Sequence, residues 1–308
     1  MKRNILLTGA SSFTGFWFAQ KLHKEGFSLV CPLPRKEEDY IDLKKKRLEL
    51  LKDRVNLIYD CPFGSPFFLE LCNDNYQTLC LHGAFVENYS SDRFPLTKAL
   101  SENLKSSEIV LDNLFEKGCR RVVWTSSVFE DAVTLDDTKS KKPNWYRYAL
   151  SKYLSYAAIS ELCRSYSFDL TRIVITNPFG PFEDKKLSYH LFHSFLNLEK
   201  VFTIKTPYYV RDMIHVQNLA QVYTDLVKSN RCITEIRPCE YSGSMISFAQ
   251  KYQDEVGKRM GYQVSIKSEN MNFDEPYSLI NNQHVSSILK SNHSDKYWDE
   301  LCNYYIDK

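Results

Sequence analysis

The chain carries no surplus of charge of either sign. Its 40 lysines and arginines stand against 38 acidic residues over 308 positions, so no long-range field draws in nucleic acid or an anionic membrane surface. Any anionic ligand has to be held locally. Paired cysteines are missing as well. The nine cysteines, at 31, 61, 72, 80, 119, 163, 232, 239 and 302, are odd in number and never spaced Cys-x-x-Cys, which argues against a disulfide framework and a zinc site and fits a reducing cytoplasm. Long apolar runs are absent: after Lys2 and Arg3 the first stretch is only Ile5-Leu6-Leu7, too short for a signal-peptide core or a membrane span. It reads as a buried first strand. There is no internal repeat, low-complexity tract or long flexible linker.

What is present through the first 180 residues is an alternation of short apolar strands and amphipathic helices, the pattern of a parallel sheet covered on both faces. Strands are expected at Asn4–Leu7, Ser28–Cys31, Asn56–Tyr59, Thr78–Leu81, Arg121–Thr125 and Asp169–Ile175. Helices are expected over Phe16–Lys24, over Leu96–Lys117 with Gly118 as its stop, and from about Asn144 onward. The expected fold is therefore α/β, a doubly wound parallel sheet of Rossmann type over residues 1–180, with a return segment near 212–230. Beyond 180 the alternation weakens into a sequence rich in Phe, Tyr, His and Asn, and residues 181–308 read mainly as a smaller C-terminal substrate lobe.

Thr8-Gly-Ala-Ser-Ser-Phe-Thr-Gly15 follows the first strand and opens a helix. In that context a glycine turn lets backbone approach a pyrophosphate at a helix N-terminus. Gly9, Ser12, Phe13 and Gly15 are the cofactor-binding positions of this turn, with Ser12 where a middle glycine is usual. The second strand has no carboxylate at its end to hold ribose hydroxyls, and Arg35 and Lys36 stand nearby. The missing acid favours NADP over NAD. Asp60, after the third strand, is placed to accept from the adenine amine. Gly83 and Ala84, after the fourth, are small enough to lie against a dinucleotide. His82 reads as a packed strand-end histidine.

The fifth strand delivers Thr125-Ser-Ser127 to the carboxyl edge of the sheet, where open α/β folds place their ligands. Tyr148 and Lys152 follow at a spacing of four on a helix. They share one face, so an ammonium beside the phenol would ease its ionisation and let it exchange a proton with an alcohol or carbonyl. A single Tyr-x-x-x-Lys means little among 20 tyrosines; the ordered set means more.

That set resembles the extended short-chain dehydrogenase/reductase family, the NAD(P)-dependent nucleotide-sugar epimerases, dehydratases and reductases. The likeness spans about residues 4–225 through Thr8–Gly15, His82-Gly-Ala84, Asn103, Thr125-Ser-Ser127, Tyr148 with Lys152, Asn177-Pro-Phe-Gly-Pro181 and Arg211-Asp-Met-Ile-His-Val216. It implies that Ser127 is the catalytic serine, with Thr125 and Ser126 as neighbours that an alignment slip of one residue would promote. It implies that Tyr148 is the acid/base, that Lys152 is its partner and also binds the nicotinamide ribose, and that Asn103 supports the site. Asn177 and Arg211 match residues that meet a substrate diphosphate, although Val174 stands where an arginine is usual three residues before Asn177. A homodimer through the helices around Leu96–Lys117 and Tyr148–Ser165 is implied too.

Dehydratases of this family follow the catalytic hydroxyl with an Asp-Glu pair. Here Val128-Phe129 follow Ser127, and Glu130 is out of register. The reading is then a reductase or epimerase acting at C4 of a nucleoside-diphosphate sugar, with no metal. Two alternatives stay open: an NADPH-dependent reductase of a non-sugar carbonyl, resembling dihydroflavonol reductase, and a non-catalytic cofactor-sensing protein on the same fold.

Overall fold

A computed structural model describes residues 4–134, 142–229, 233–270, 274–289 and 294–307; Lys2, Arg3 and Cys232 lie outside the described residues. The chain divides into two compact units, Met1–Ile175 with Tyr223–Ile236, and Thr176–Val222 with Arg237–Lys308.

The first unit is a doubly wound α/β domain. In chain order it contains β1 (Asn4–Leu7), α1 (Phe13–Lys24), β2 (Ser28–Pro32), α2 (Asp42–Leu51), β3 (Asn56–Ile58), α3 (Pro66–Leu71), β4 (Thr78–Leu81), α4 (Leu96–Asn103), α5 (Ser107–Glu116), β5 (Arg121–Ser127), α6 (Asp131–Thr134), α7 (Tyr146–Ser165) and β6 (Asp169–Ile175). Strand order across the sheet is β3-β2-β1-β4-β5-β6, closed by the return strand Glu235–Ile236 beside β6. All seven strands run parallel. The order reverses between β1 and β4, and in open α/β sheets the crevice at such a reversal, outside the carboxyl ends, is where ligands bind.

Apolar strand residues supply the core. Leu6, Leu79, Val122 and Trp124 pack with Val110, Leu111 and Leu114 of α5 and with Ile159 and Cys163 of α7. Phe18 of α1 stacks on Tyr223, with ring centroids 3.9 Å apart. The helix expected over Leu96–Lys117 is broken in two. Ser106 adopts φ +51° between α4 and α5, and the Lys105 carbonyl lies against Gly64, where a Cβ would sit 1.9 Å from its oxygen. A tertiary contact thus ends a helix that periodicity alone would continue.

In the second unit, strand Asn177–Phe179 runs parallel to Val210–His215, which also pairs with Tyr241–Ser244 and Ser278–Leu279. A second, two-stranded sheet joins Val201–Ile204 to Ser265–Ser268. Helices Leu187–Leu196, Met245–Met260 and Ser294–Ile306 contribute Leu191, Phe192, Phe195, Phe248, Tyr252, Trp298 and Leu301 to an aromatic-rich core around Phe179. Among the described residues no helix is long and apolar enough to cross a membrane, and no cluster of His, Cys, Asp or Glu is arranged to hold a metal ion.

Candidate active site

The turn between β1 and α1 is built by close backbone approach. Gly9 has φ +79°, and a Cβ there would lie 2.7 Å from the Gly83 nitrogen; one on Gly15 would lie 2.1 Å from the Gly9 oxygen. Neither position tolerates a side chain. Ser12, in place of the middle glycine, is the N-cap of α1. Its hydroxyl accepts from the Gly15 N–H at 3.0 Å and donates to the Gly9 carbonyl at 2.8 Å. With that proton committed, the contact of 3.0 Å between Ser12 Oγ and His82 Nε2 is assigned as His82 donating. Thr14 Oγ1 lies 3.0 Å from the same nitrogen. Burial pushes the His82 pKa down to about 3, with the Lys152 charge adding to the effect, so the ring is neutral.

The Gly83 N–H donates to Thr8 Oγ1 at 2.9 Å, which stitches the ends of β1 and β4 together; Ala84 follows, half-buried. Phe13 is buried, with the guanidinium of the fully buried Arg47 5.8 Å from its ring centre. Arg47 also donates to the Ser11 carbonyl at 3.3 Å. At the adjoining strand ends, the Asp60 N–H donates to the Arg35 carbonyl at 2.9 Å. Both residues are exposed, and Leu33, where the chain leaves β2, is fully buried. Glu37, Glu38 and Asp39 follow Arg35 and Lys36 directly and are exposed too, so the surface there is of mixed sign.

On the other side of the crevice, β5 runs as far as Ser127, two residues beyond its expected end. The Ser127 hydroxyl accepts from the Phe129 N–H at 3.3 Å. From α7 the buried Lys152 reaches back to donate from Nζ to the Thr125 carbonyl at 2.7 Å, with its ammonium 4.5 Å from the centre of the Trp124 ring. Tyr148, one turn earlier, is half-buried. Its ring meets Tyr89 and Phe94 edge to face at 5.5 and 5.9 Å.

Burial raises the Tyr148 phenol pKa above its usual value, and Glu130 and Tyr89 add to the rise. Burial pushes Lys152 down to about 8, against the opposing pull of Glu130 and with Arg172 adding to the fall. The spacing of four predicts an ammonium that eases the phenol's ionisation; here that ammonium is bonded to a backbone carbonyl, and desolvation sets the phenol's proton affinity. Asn103 ties two elements together, its Oδ1 accepting from the Phe85 N–H at 2.8 Å and its Nδ2 donating to Ser155 of α7 at 3.4 Å.

Asn177 and Arg211 belong to the second unit. The Asn177 amide donates to the Asp212 carbonyl at 3.0 Å. The buried Arg211 guanidinium donates to the carbonyls of Val210 (2.9 Å) and Tyr277 (3.1 Å) and pairs with Glu275 at 3.0 Å.

Sequence reasoning passed over a buried ionic group beneath β5. Glu130, 1 % exposed, accepts from the Ser127 N–H at 2.8 Å, from the Ser126 hydroxyl at 3.1 Å and from Arg172 at 2.8 Å. Arg172 also donates to Ser126 Oγ and to Glu235, each at 2.8 Å. The signal that could have found it is the spacing Ser127-x-x-Glu130, a capping-box pattern, together with a lone arginine inside the apolar strand Asp169–Ile175.

With the geometry in place, a model of the NAD dependent epimerase/dehydratase family matches residues 5–234. No curated protein matches the chain by sequence. Among solved structures, a UDP-glucose 4-epimerase from Thermotoga maritima superposes with a TM-score of 0.73 at 14% identity, covering 99% of each chain. A UDP-glucuronic acid 4-epimerase from Bacillus cereus, in complex with UDP-glucuronic acid and NAD, gives a TM-score of 0.74 at 14% identity and 99% of each chain. A dTDP-glucose 4,6-dehydratase from Streptomyces venezuelae, with NAD bound, gives 0.72 at 14% identity over 99% of this chain and 97% of that one. At such identities the likeness is one of fold.

Proposed function

The chain belongs to the NAD dependent epimerase/dehydratase family, and we propose that it is an NAD(P)-dependent oxidoreductase acting at C4 of a nucleotide-linked sugar, by reduction of a keto-sugar or by epimerisation. The observation that carries this reading is the bond from Lys152 Nζ to the Thr125 carbonyl. It draws the helix of Tyr148 and the strand of Ser127 into one buried neighbourhood at the carboxyl edge of the sheet.

The turn fits a dinucleotide: the close approach at Gly9 and Gly15 and the start of α1 suit a pyrophosphate. Gly9, Ser12, Phe13, Gly15, Gly83 and Ala84 would line it, with Lys152 toward the nicotinamide ribose and Arg35 and Asp60 toward the adenosine. When bound, the nicotinamide supplies or accepts the hydride. Ser127, its hydroxyl already accepting from Phe129, is left to donate toward the substrate oxygen, and Tyr148 gives or takes the proton there. Asn103 acts as a support, and Asn177 and Arg211 are assigned to the substrate diphosphate.

NADP stays the preferred form because Leu33, and no carboxylate, closes β2; the acids at 37–39 weigh against it. A homodimer through α4, α5 and α7 is part of the proposal, supported by Ile109 and Leu154, which are exposed on α5 and α7. The described cysteines are buried free thiols, which supports a reducing, cytoplasmic setting. A second reading, reduction of a non-sugar carbonyl, is favoured by one observation: Arg211 is already engaged by Glu275 and two carbonyls.

The test is a panel of nucleotide sugars and their 4-keto-6-deoxy derivatives with NADPH or NADH, followed by cofactor absorbance and product separation, with sedimentation of the same preparation. Net cofactor oxidation means reduction; isomers without it mean epimerisation. Tyr148→Phe should lower turnover by roughly 10²–10⁴-fold while cofactor affinity holds. Undiminished turnover in that variant, or no reaction across the panel, would sink the reading.

A further inference from the structure

Glu130 stands three residues past Ser127, and both its oxygens are used on the site's framework. Oε1 holds the Ser127 N–H, while Oε2 takes the Ser126 hydroxyl and one arm of Arg172. Ser126 is thereby committed, since its oxygen also accepts from Arg172 Nε. Ser127, whose hydroxyl accepts from the Phe129 N–H, keeps a proton to give, and a hydroxyl that accepts a hydrogen bond is a better donor in turn. Glu130 therefore distinguishes the two serines.

Charge counting leads further. Arg172 lies between two carboxylates, Glu130 and Glu235, each 2.8 Å away, so the three residues together carry one negative charge. The buried Lys152 carries one positive charge nearby, without a carboxylate of its own. Lys152 and Glu130 are both buried and hold consecutive residues of β5, Lys152 the Thr125 carbonyl and Glu130 the Ser126 hydroxyl and the Ser127 N–H. The charges that act on Lys152 are those of Glu130 from the turn after β5 and Arg172 from β6, with the neutral His82 and the Trp124 ring as further neighbours. Tyr148 is faced by Glu130 and by Tyr89 from the loop after β4, and Arg172 by the Tyr156 ring at 4.5 Å. Among these neighbours of Lys152, Glu130 is the one anion, and in a buried setting a single opposite charge strongly favours the protonated amine.

We propose that Glu130 is a positioning residue of this site: held by Arg172, which Glu235 holds in turn, it orients Ser127 and supplies the counter-charge to the buried Lys152. The inference rests on the roles given above to Ser127, Tyr148 and Lys152, and deepens them. Neutralising Glu130 leaves Arg172 and Glu235 cancelling each other and Lys152 buried without a counter-charge. Neutralising Glu235, a third exposed or slightly more, leaves Glu130 cancelled by Arg172, a change of the same sign and smaller size.

The experiment follows the Lys152 titration by NMR in protein carrying ¹³C at the lysine Cε, the resonance being assigned by its loss in Lys152→Met. It needs neither cofactor nor substrate. Wild type should titrate near pH 8. In Glu130→Gln the midpoint should fall by about one pH unit, a tenfold loss of proton affinity, and in Glu235→Gln it should fall by less. An unmoved or raised midpoint in Glu130→Gln overturns the proposal; should that variant fail to fold, an unmoved midpoint in the milder Glu235→Gln does so. With the substrate found in the panel, the alkaline limb of the pH–rate profile should move down in step, a displacement that loss of packing alone would not produce. A wild-type protein that binds no dinucleotide would sink the oxidoreductase reading and leave the titration result intact, so the two failures are distinct.

Discussion

In the first unit the one buried carboxylate among the described residues, Glu130, lies against a guanidinium, whereas in the second unit Glu183, Asp212 and Glu240 are buried with neutral donors and only Glu255, at the edge of burial, pairs with cations, Lys251 and Arg259. Glu183 accepts from the hydroxyls of Ser188 and Tyr305, Asp212 from the Ser242 hydroxyl and the Asn281 N–H, and Glu240 from the His215 N–H and the Asn218 amide. Burial raises the pKa of all three, that of Glu183 to about 8. A buried acid beside a cation is a fixed charge that other groups can be arranged around. One among hydroxyls and amides is a group that takes up a proton instead.

The largest effect that can break this comparison is removal of the cation. Arg172→Met leaves Glu130 buried and unpaired, and stripping one partner from a buried pair costs about 3–5 kcal/mol. Amide exchange along β5 and β6 should accelerate accordingly, while the helix Met245–Met260 of the second unit should be unaffected. Adding Glu130→Gln to Arg172→Met should recover most of the loss. No recovery would mean that the arginine stabilises through packing on Tyr156, and that the two units do not differ in the way described.

The next effect acts on the second unit and has a definite sign. The folded-state pKa of Glu183, about 8, lies above its ordinary 4.5, so its stabilising proton is fully in place below pH 4.5 and is lost as the pH rises through 8. The second unit should weaken across that window. Lys152 runs the other way: its pKa is pushed down to about 8 from 10.5, so its penalty is complete below pH 8 and fades between 8 and 10.5. Glu183→Gln should stabilise the second unit by ~2 kcal/mol or more at pH 9, a tenfold change in proton affinity being worth about 1.4 kcal/mol, and should have little effect at pH 4. Exchange protection of Met245–Met260 at the two pH values checks it. Equal effects at both would put the result down to packing.

The residues that resisted sequence reading are those whose partners are far away in the chain. The central parallel strands β1, β4 and β5 were legible because they are buried on both faces and read as short apolar runs. Ser12, Tyr148 and Lys152 stand out in the sequence because their motifs are local. Glu235 became Arg172's partner through the register of the return strand, where the two lie directly opposite each other on β6 and its neighbour. Nothing near residue 172 announces residue 235. The same holds for Arg211 and Glu275, 64 positions apart. In the second unit several strands are only two residues long, such as Pro238–Cys239 and Gln283–His284, too short to show any period. The break at Ser106 depends on Gly64, which again lies outside any local window.

The smallest effect compares two serine N-caps, one in each unit. Ser12 caps α1 by accepting from the Gly15 N–H at 3.0 Å, and Ser244 caps Met245–Met260 by accepting from the Ser247 N–H at 3.2 Å. A serine cap is ordinarily worth about 1 kcal/mol against alanine, and Ser244→Ala should cost about that. Ser12 has further roles, since its hydroxyl also donates to the Gly9 carbonyl and receives the His82 Nε2 proton. Ser12→Ala leaves a donor of a neutral, half-buried imidazole short of one acceptor, with Thr14 Oγ1 still in reach. It should therefore cost more than Ser244→Ala, by about 0.5–1.5 kcal/mol, the net value of one hydrogen bond. Amide exchange in the first turn of each helix measures the two costs separately, which matters because a chain of two units need not unfold in one step. Equal costs would show that Ser12 is a cap like any other, and that His82 satisfies itself on Thr14.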